Sequence, residues 1–550
     1  MLTNQKSLVK RFALIAMCLG VLSTFTFCKK EAAVKVVEPE VKEPFTFPRS
    51  TPEEQGVESQ SIVKLINEIG KSEIQFHSIM IVRHGYVIAE GWWEPYKPEY
   101  KHQLYSLSKS FTSTGVGFAV KEGLLSVDDK VISFFPDDLP KEVSPNLAAL
   151  TIKDLLTMSA GHNEVPMNKM RETEGVSWVK TFLAAPIENE PGTKFLYNTS
   201  ATFMLSAIIQ KVTGEKLIDF LKPRLFEPLN ITEADWLESP GGINTGGYGL
   251  RVKTEDIAKL GQLYLQKGKW EGEQILPEQW VADATSKQID SKPSADEYEP
   301  NNDWAQGYGY QFWRNSTEGF RADGAFGQFS IVMPDKDMVV AITGESFNMG
   351  DNMKLIWKNL LPGVKDEALP TDMITEVEFT QAMKNLIIGS PIMEDTSPII
   401  DKISNKQYTF EEDNELGVET MFFSFKEEGK CTLTINDESG ATTINCGINK
   451  WVVDDNEKKV AKSIFPVPGR LDFPSKMAAN AIWLDDTTLQ CTWRFLENVH
   501  GDQVTFKFEG EDYEKVTATF MNSVSEGRQE KDPRKPLVAT IGRVKIDRAL

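Results

Sequence analysis

Cysteine and histidine are both scarce in this chain, with five of each in 550 residues. Past residue 28 only Cys431, Cys446 and Cys491 remain, and no Cys-x-x-Cys pair occurs. His77, His84, His102, His162 and His500 complete a set that argues against a zinc site of ordinary ligand spacing. Three thiols cannot all pair within one chain. Either two of them form one disulfide in an oxidising compartment, or all three serve as small buried hydrophobes. Positive charge is also in short supply: 60 Lys and Arg stand against 80 Asp and Glu, a formal charge of −20. A surface of that sign repels nucleic acid and anionic membranes, so neither is an expected partner. No metal or organic cofactor is expected, and no internal repeat or low-complexity tract is evident.

The bulk composition, 41% hydrophobic and 25% charged, is that of a globular protein with room for two domains plus appendages. Residues 1–28 read as an export signal: Lys6, Lys10 and Arg11, an apolar run from Phe12 to Phe27, then Cys28. That run is short for a membrane span. The cysteine after it resembles a bacterial lipoprotein acylation site, with Cys28 as the lipidated residue and cleaved secretion or an uncleaved anchor as the alternatives. Residues 29–46 are charged and contain proline, as expected of a tether. The expectation is an exported protein facing the periplasm or cell surface, touching membrane only through an N-terminal lipid.

Hydrophobic periodicity divides the rest. Ile62, Leu65, Ile66 and Ile69 share one side of a helix, and residues 78–91 alternate on either side of His84-Gly85 as a β-hairpin. A mostly helical region follows, and strands return at 307–313 and 327–344, the latter turning at Pro334 to Asp337. Strands, helices, then strands predict an α+β domain over 47–365: one antiparallel sheet built from N- and C-terminal strands and flanked by helices. After a linker at 362–372, residues 375–550 alternate at period two between polar turns, predicting a C-terminal β-rich domain.

The most informative stretch is Ser106-Leu107-Ser108-Lys109. Positions three apart share a helix face, so the Lys109 amine can reach the Ser106 hydroxyl and act as its base if desolvation lowers its pKa. The spacing alone is weak, because S-x-x-K also starts at Ser7, Ser61 and Ser177. A capping serine followed by a solvated lysine is the bland alternative. What separates Ser106 is its helix: Leu107, Phe111, Gly115 and Phe118 mark a buried face, and Gly115 and Gly117 signal close approach by a neighbour. The helix start also points free N–H groups toward developing negative charge.

Two further segments carry chemistry. Tyr197 stands at the entrance of an apolar helix, where its phenol could relay protons if Lys109 lowers its pKa, or could simply be a buried tyrosine with one satisfied hydroxyl. Arg321 to Gln328 enters the last hairpin with small residues that let the main chain approach a ligand. The N–H groups of Ala325 and Ser106 could form an oxyanion hole there, and a Gly-rich bulge is the alternative.

Together, SLSKSFTS, LLTMSAGH, FLYNTS, GGINTGGYGLRVKTEDIAKLGQLYLQKGKW and GAFGQFSIVMPDKDMVV resemble the penicillin-recognising serine hydrolases. These are the class C β-lactamases, DD-peptidases and related esterases and amidases, and the branch with 6-aminohexanoate-dimer hydrolases is the nearest in character. The resemblance spans roughly residues 50–360. It implies a β-lactamase/transpeptidase-like fold, Ser106 as acylated nucleophile, Lys109 as proton acceptor, Tyr197 as general base or acid, and Ala325 as source of the second oxyanion N–H.

The departures bear on substrate. The family's tyrosine motif is commonly Tyr-x-Asn, but here Asn198 directly follows Tyr197, so either Asn198 or Thr199 touches substrate. Where the family offers Lys-Thr-Gly or His-x-Gly, this chain has Ala322-Asp323-Gly324. A carboxylate there is expected to repel an anionic β-lactam, by about 4 kcal/mol at ~4 Å and an effective dielectric of 20. Asp323, Gly324, Asn198 and Tyr248 are the expected substrate-binding positions, and Trp313 a further lining residue. The expectation is hydrolysis of amides or esters in small molecules or peptides. A β-lactamase or D-Ala-D-Ala carboxypeptidase is the first alternative, and a catalytically silent binding protein of the same fold the second. Trp451, Trp483 and Trp493 would allow the C-terminal domain to bind ligand, against core packing as the plainer reading.

Overall fold

His84 and Gly85 both take positive φ, 51° and 79°, and Arg83 pairs directly with Tyr86 across them. Two such residues make the turn whose twist matches a β-hairpin. The computed structural model describes residues 45–542 apart from 174, 293–301, 390–392, 411–413, 439 and 455–475. The export leader, Cys28 and nearly all of the tether therefore lie outside the described residues.

The hairpin strands are β1 (Phe76–Arg83) and β2 (Tyr86–Trp92). Four more strands come from much later: β3 (Trp313–Arg314), β4 (Phe320–Gly324), β5 (Gln328–Met333) and β6 (Met338–Gly344). They form one antiparallel sheet in the order β2-β1-β6-β5-β4-β3. Both faces are covered. Helix α1 (Ser59–Gly70) packs Ile62 and Leu65 with Ile79 and Ile81 of β1, while Met80 and Val82 point into the core of the helical region. Period-two alternation thus feeds two cores from one strand. This is the α+β arrangement that the resemblance implies.

The helical region is centred on α2 (Ser108–Lys121), buried from Ser108 to Ala119. Gly117 explains part of that burial: a Cβ there would lie 2.7 Å from the Trp280 indole, so only glycine lets the ring sit flush. Against α2 lie α3 (Thr199–Thr213) and, on the sheet, α4 (Thr254–Leu265).

Residues 307–313 differ from the strand that the pattern predicts. Only Trp313–Arg314 joins the sheet, because Gly307 and Gln311 take φ of 112° and 65° and fold the segment back. The Gln311 amide is spent on the carbonyls of Leu155 and Leu156, 3.2 and 2.7 Å away, and accepts from Thr202 at 2.6 Å. A buried glutamine tying two helices outweighs the local strand propensity.

Beyond the linker, α5 (Met373–Lys384) packs against α1 and β2, and Met383 and Leu386 fill the space in front of Gly91. The C-terminal β region is a closed barrel. Its strands are β7 (Gln407–Phe410), β8 (Val418–Ser424), β9 (Lys430–Asp437), β10 (Gly440–Ile448), β11 (Met477–Asp485), β12 (Thr488–Phe495), β13 (Gly501–Glu509), β14 (Lys515–Asn522) and β15 (Leu537–Ile541). They run in the order β10-β9-β8-β7-β15-β14-β13-β12-β11, and a parallel pairing of β10 with β11 closes the ring. Inward residues two apart, such as Leu489, Cys491 and Trp493 or Val504, Phe506 and Phe508, pack into a single core. Cys431, Cys446 and Cys491 are free buried thiols in that core, so the disulfide alternative is not realised. Trp483 and Trp493 are core residues too, and Trp451 packs at the join with the sheet domain. Among the described residues, no helix is long and apolar enough to cross a membrane.

Candidate active site

Ser106 lies in a 3-10 turn, Tyr105–Leu107, that runs directly into α2, so the nucleophile candidate precedes the helix proper by two residues. The turn continues helically, and Lys109 returns over it. Lys109 Nζ lies 3.0 Å from Ser106 Oγ, 3.2 Å from Thr199 Oγ1 and 2.7 Å from the Gly247 carbonyl oxygen. The lysine is 1% exposed. Burial is the main cause that lowers its pKa to about 7, with Arg171 adding to the effect and Asp323 opposing it. A neutral amine keeps two N–H donors, which suffice for Gly247 and Thr199, and turns its lone pair toward the Ser106 hydroxyl.

Tyr197 reaches the same point from the entrance of α3. Its hydroxyl lies near enough to the Ser106 side chain to be influenced by it, and its ring lies 4.9 Å from Lys109 Nζ. Trp313 stacks on that ring at 5.5 Å between centroids and Tyr308 meets it edge-on at 6.2 Å. Hydroxyl, amine and phenol are thus brought together. The expectation that Lys109 depresses the phenol pKa is corrected: burial, followed by the Asp323 charge, pushes it up. Near neutrality the Tyr197 phenol keeps its proton, so of the two groups only the Lys109 amine is able to accept one.

Asn198 is turned into the fold rather than presented on an open surface. It is 1% exposed, caps α3 by accepting from Ser200 N at 3.0 Å, and sits 3.4 Å from His162 Nδ1. Its amide oxygen is thereby committed to an orphan helix donor. Thr199, two places after the tyrosine, stands against Lys109 instead. Its place in the motif was the available signal.

The Asp323 expectation also needs correction. Arg321 and Asp323 are two apart on β4 and therefore on one face, where Arg321 Nε meets Asp323 Oδ2 at 3.1 Å and Trp304 Nε1 donates to it at 2.9 Å. Burial raises the Asp323 pKa, and the Arg321 charge leads the influences that oppose it. A buried carboxylate paired with a guanidinium does not present a bare negative charge to a ligand. Arg321 is itself anchored, donating to the Asp303 and Arg314 carbonyls at 3.1 and 3.0 Å.

Gly324 acts by lacking a side chain. A Cβ there would strike the Leu104 carbonyl oxygen and sit 3.1 Å from Ser106 N and 3.0 Å from Leu107 N. The end of β4 therefore presses against the nucleophile turn, and Ala325 follows it in the three-residue turn to β5. Tyr248 is half-buried one residue past Gly247, with the exposed Arg171 guanidinium 4.8 Å above its ring. Among the described residues, no group of three or more His, Cys, Asp or Glu is arranged to hold a metal.

The β-lactamase family profile matches residues 65–361, and the chain belongs to that family, whose members are hydrolases. It is 24% identical to the 6-aminohexanoate-dimer hydrolase of Paenarthrobacter ureafaciens over 220 residues, 37% of this chain and 55% of that one. It is 28% identical to the lovastatin esterase of Penicillium rubens over 155 residues, 24% of this chain and 39% of that one. The alignments thus leave much of both relatives uncovered. Among solved structures, the octameric penicillin-binding protein homologue from Pyrococcus abyssi overlaps 87% of this chain and 99% of its own, at 18% identity and a TM-score of 0.44.

Proposed function

We propose that this protein is a serine hydrolase that forms an acyl-enzyme at Ser106 and cleaves amide or ester bonds in small molecules or peptides. The observation that carries the reading is the buried Lys109 amine 3.0 Å from Ser106 Oγ, where burial lowers its pKa to about 7. A poised base beside a serine hydroxyl is the arrangement nucleophilic catalysis needs.

In the proposed cycle Ser106 Oγ attacks the carbonyl carbon as its proton passes to Lys109 Nζ. The oxyanion is stabilised by the N–H groups of Ser106 and Ala325. As the tetrahedral species collapses, Tyr197 donates a proton to the departing amine or alkoxide and regains one from the Lys109 ammonium. Water then attacks the acyl-enzyme through the same relay, releasing the acid and restoring the serine hydroxyl. Residues 1–28, with their basic start, apolar run and Cys28, support an exported, lipid-anchored form facing the periplasm or cell surface. Loss of membrane association in a Cys28→Ser variant tests that.

The decisive experiment compares the wild type with Ser106→Ala on short p-nitrophenyl esters, linear ω-amino-acid amides, D-Ala-D-Ala peptides and nitrocefin. A fluorophosphonate probe is mapped by mass spectrometry in parallel. The expected result is labelling at Ser106 and turnover that falls by at least about a thousandfold in the alanine variant. Equal turnover by the two proteins sinks the mechanism.

A further inference from the structure

The residue before the nucleophile and the residue after Ala325 share an unusual property. Tyr105 and Phe326 both take positive φ, 47° and 66°, although neither is glycine. Side chains rarely accept that region, and they persist there only where their surroundings leave no alternative. Here the surroundings come from the barrel. The loop between β12 and β13 brings His500, 1% exposed, against both residues. Its Nε2 lies 2.7 Å from the Tyr105 hydroxyl, and its ring meets the Phe326 ring edge-on at 4.7 Å. Tyr105 and Phe326 also touch each other, with centroids 5.2 Å apart.

His500 is itself held rigidly. Its Nδ1 lies 2.7 Å from Glu345 Oε1, and Glu345 also accepts from Arg494 at 2.9 Å and from Ser523 at 2.5 Å. Glu345 follows the last residue of β6, while Arg494 lies on β12 and Ser523 opens the short helix that follows β14. A carboxylate only accepts, so Nδ1 carries a proton, and Nε2 and the Tyr105 hydroxyl share the remaining hydrogen bond. In the same loop Leu496 joins the apolar cluster of Phe76 and Trp93, and Glu497 lies 3.8 Å from Arg251. The loop is thus fastened to the sheet domain at the two residues that open it, and again through His500 itself.

We propose that His500 is a positioning residue for catalysis: by clasping Tyr105 and Phe326 it fixes the backbone of Ser106 and Ala325, and so aligns the two oxyanion N–H groups. The inference rests on the functional reading given above. It makes the barrel a working part of the hydrolase site, since the clasping imidazole lies far along the chain from both residues it holds.

The test measures kcat and KM for ester turnover by the full chain and its variants. His500→Ala is expected to lower kcat about 10–100-fold, less than outright deletion of an oxyanion donor, with KM changed no more than about threefold. Tyr105→Phe removes only the hydroxyl, opens no cavity, and is expected to lower kcat in the same direction. His500→Gln, whose amide reaches the Nε2 position, should recover much of the rate. His500→Asn, whose amide overlays Nδ1, should stay slow. Tyr408→Phe, which deletes a barrel hydrogen bond to the Tyr513 carbonyl, controls for general weakening of the barrel and should leave kcat unchanged. Retention of kcat within twofold by His500→Ala, equal recovery by Gln and Asn, or an equal loss in Tyr408→Phe overturns the proposal. Ser106→Ala separates the two failures: if it matches the wild type, the nucleophile assignment falls, whereas an inactive Ser106→Ala beside a fully active His500→Ala sinks only the positioning role.

Discussion

The Lys109 amine donates to the Gly247 carbonyl oxygen across 2.7 Å, a bond available in both protonation states of the lysine. The amine is thus held in place while its proton comes and goes. The proposed cycle uses the neutral form, so kcat/KM is expected to rise with pH along a limb with its midpoint near 7. Arg171 contributes to that lowering, so Arg171→Gln should move the limb to higher pH. A pH–rate profile of both proteins checks this, and a flat profile between pH 5 and 9 refutes Lys109 as the base.

Replacing Tyr197 with phenylalanine keeps the ring that stacks on Trp313 and removes the proton donor. Turnover should fall about 10²–10⁴-fold with little change in melting temperature. Unaltered turnover would remove Tyr197 from the relay.

At Gly324 even a methyl group meets the Leu104 carbonyl oxygen, so the strand or the nucleophile turn has to move. Gly324→Ala is expected to cost about 1–3 kcal/mol of stability, as overpacked sites do. It should also reduce acylation of Ser106 in the fraction that remains folded. Probe labelling alongside a urea titration measures both effects.

Removing the Asp323 carboxylate leaves Arg321 buried without its partner. Asp323→Ala is expected to destabilise the protein by about 3–5 kcal/mol, the cost of stranding a buried charge. An apolar swap of both members, Arg321→Met with Asp323→Ala, should cost less than the two single changes added together. Chemical denaturation of the three variants decides it.

Lys109 also leaves a signature in stability. Its folded pKa of about 7 lies below the ordinary 10.5, so between those values the unfolded chain holds a proton that the folded chain has released. Stability therefore rises with pH across that window, and the penalty is full below about pH 7. Lys109→Met should be inactive, more stable than wild type at pH 6, and should lack this rise.

The sheet, the central helix and the convergence of distant segments on Ser106 were legible because strand alternation, helical spacing and short motifs are local signals. Gly117 is a case in point: a glycine inside a helix announced a close neighbour, although not that the neighbour is Trp280. The face shared by Arg321 and Asp323 follows from strand geometry, but the charge pairing and burial that quiet Asp323 depend on Trp304 and on distant carbonyls. Gln311 broke an expected strand through contacts with residues far away in the chain. His500 gave no warning at all, since a lone histidine in a β-rich region has no motif around it. Its partners Tyr105, Phe326 and Glu345 are assembled only by the tertiary fold.

The barrel ladder joins Gln407–Phe410 to Leu537–Ile541, one of the first strands of the ring to one of the last. A growing polypeptide therefore carries Ser106, Lys109 and Tyr197 well before the ribosome has made the segment that completes the ring. Until then two strand edges stay open, the form in which sheets invite mispairing. A chain interrupted before residue 537 would therefore carry the reactive side chains beside an unclosed ring.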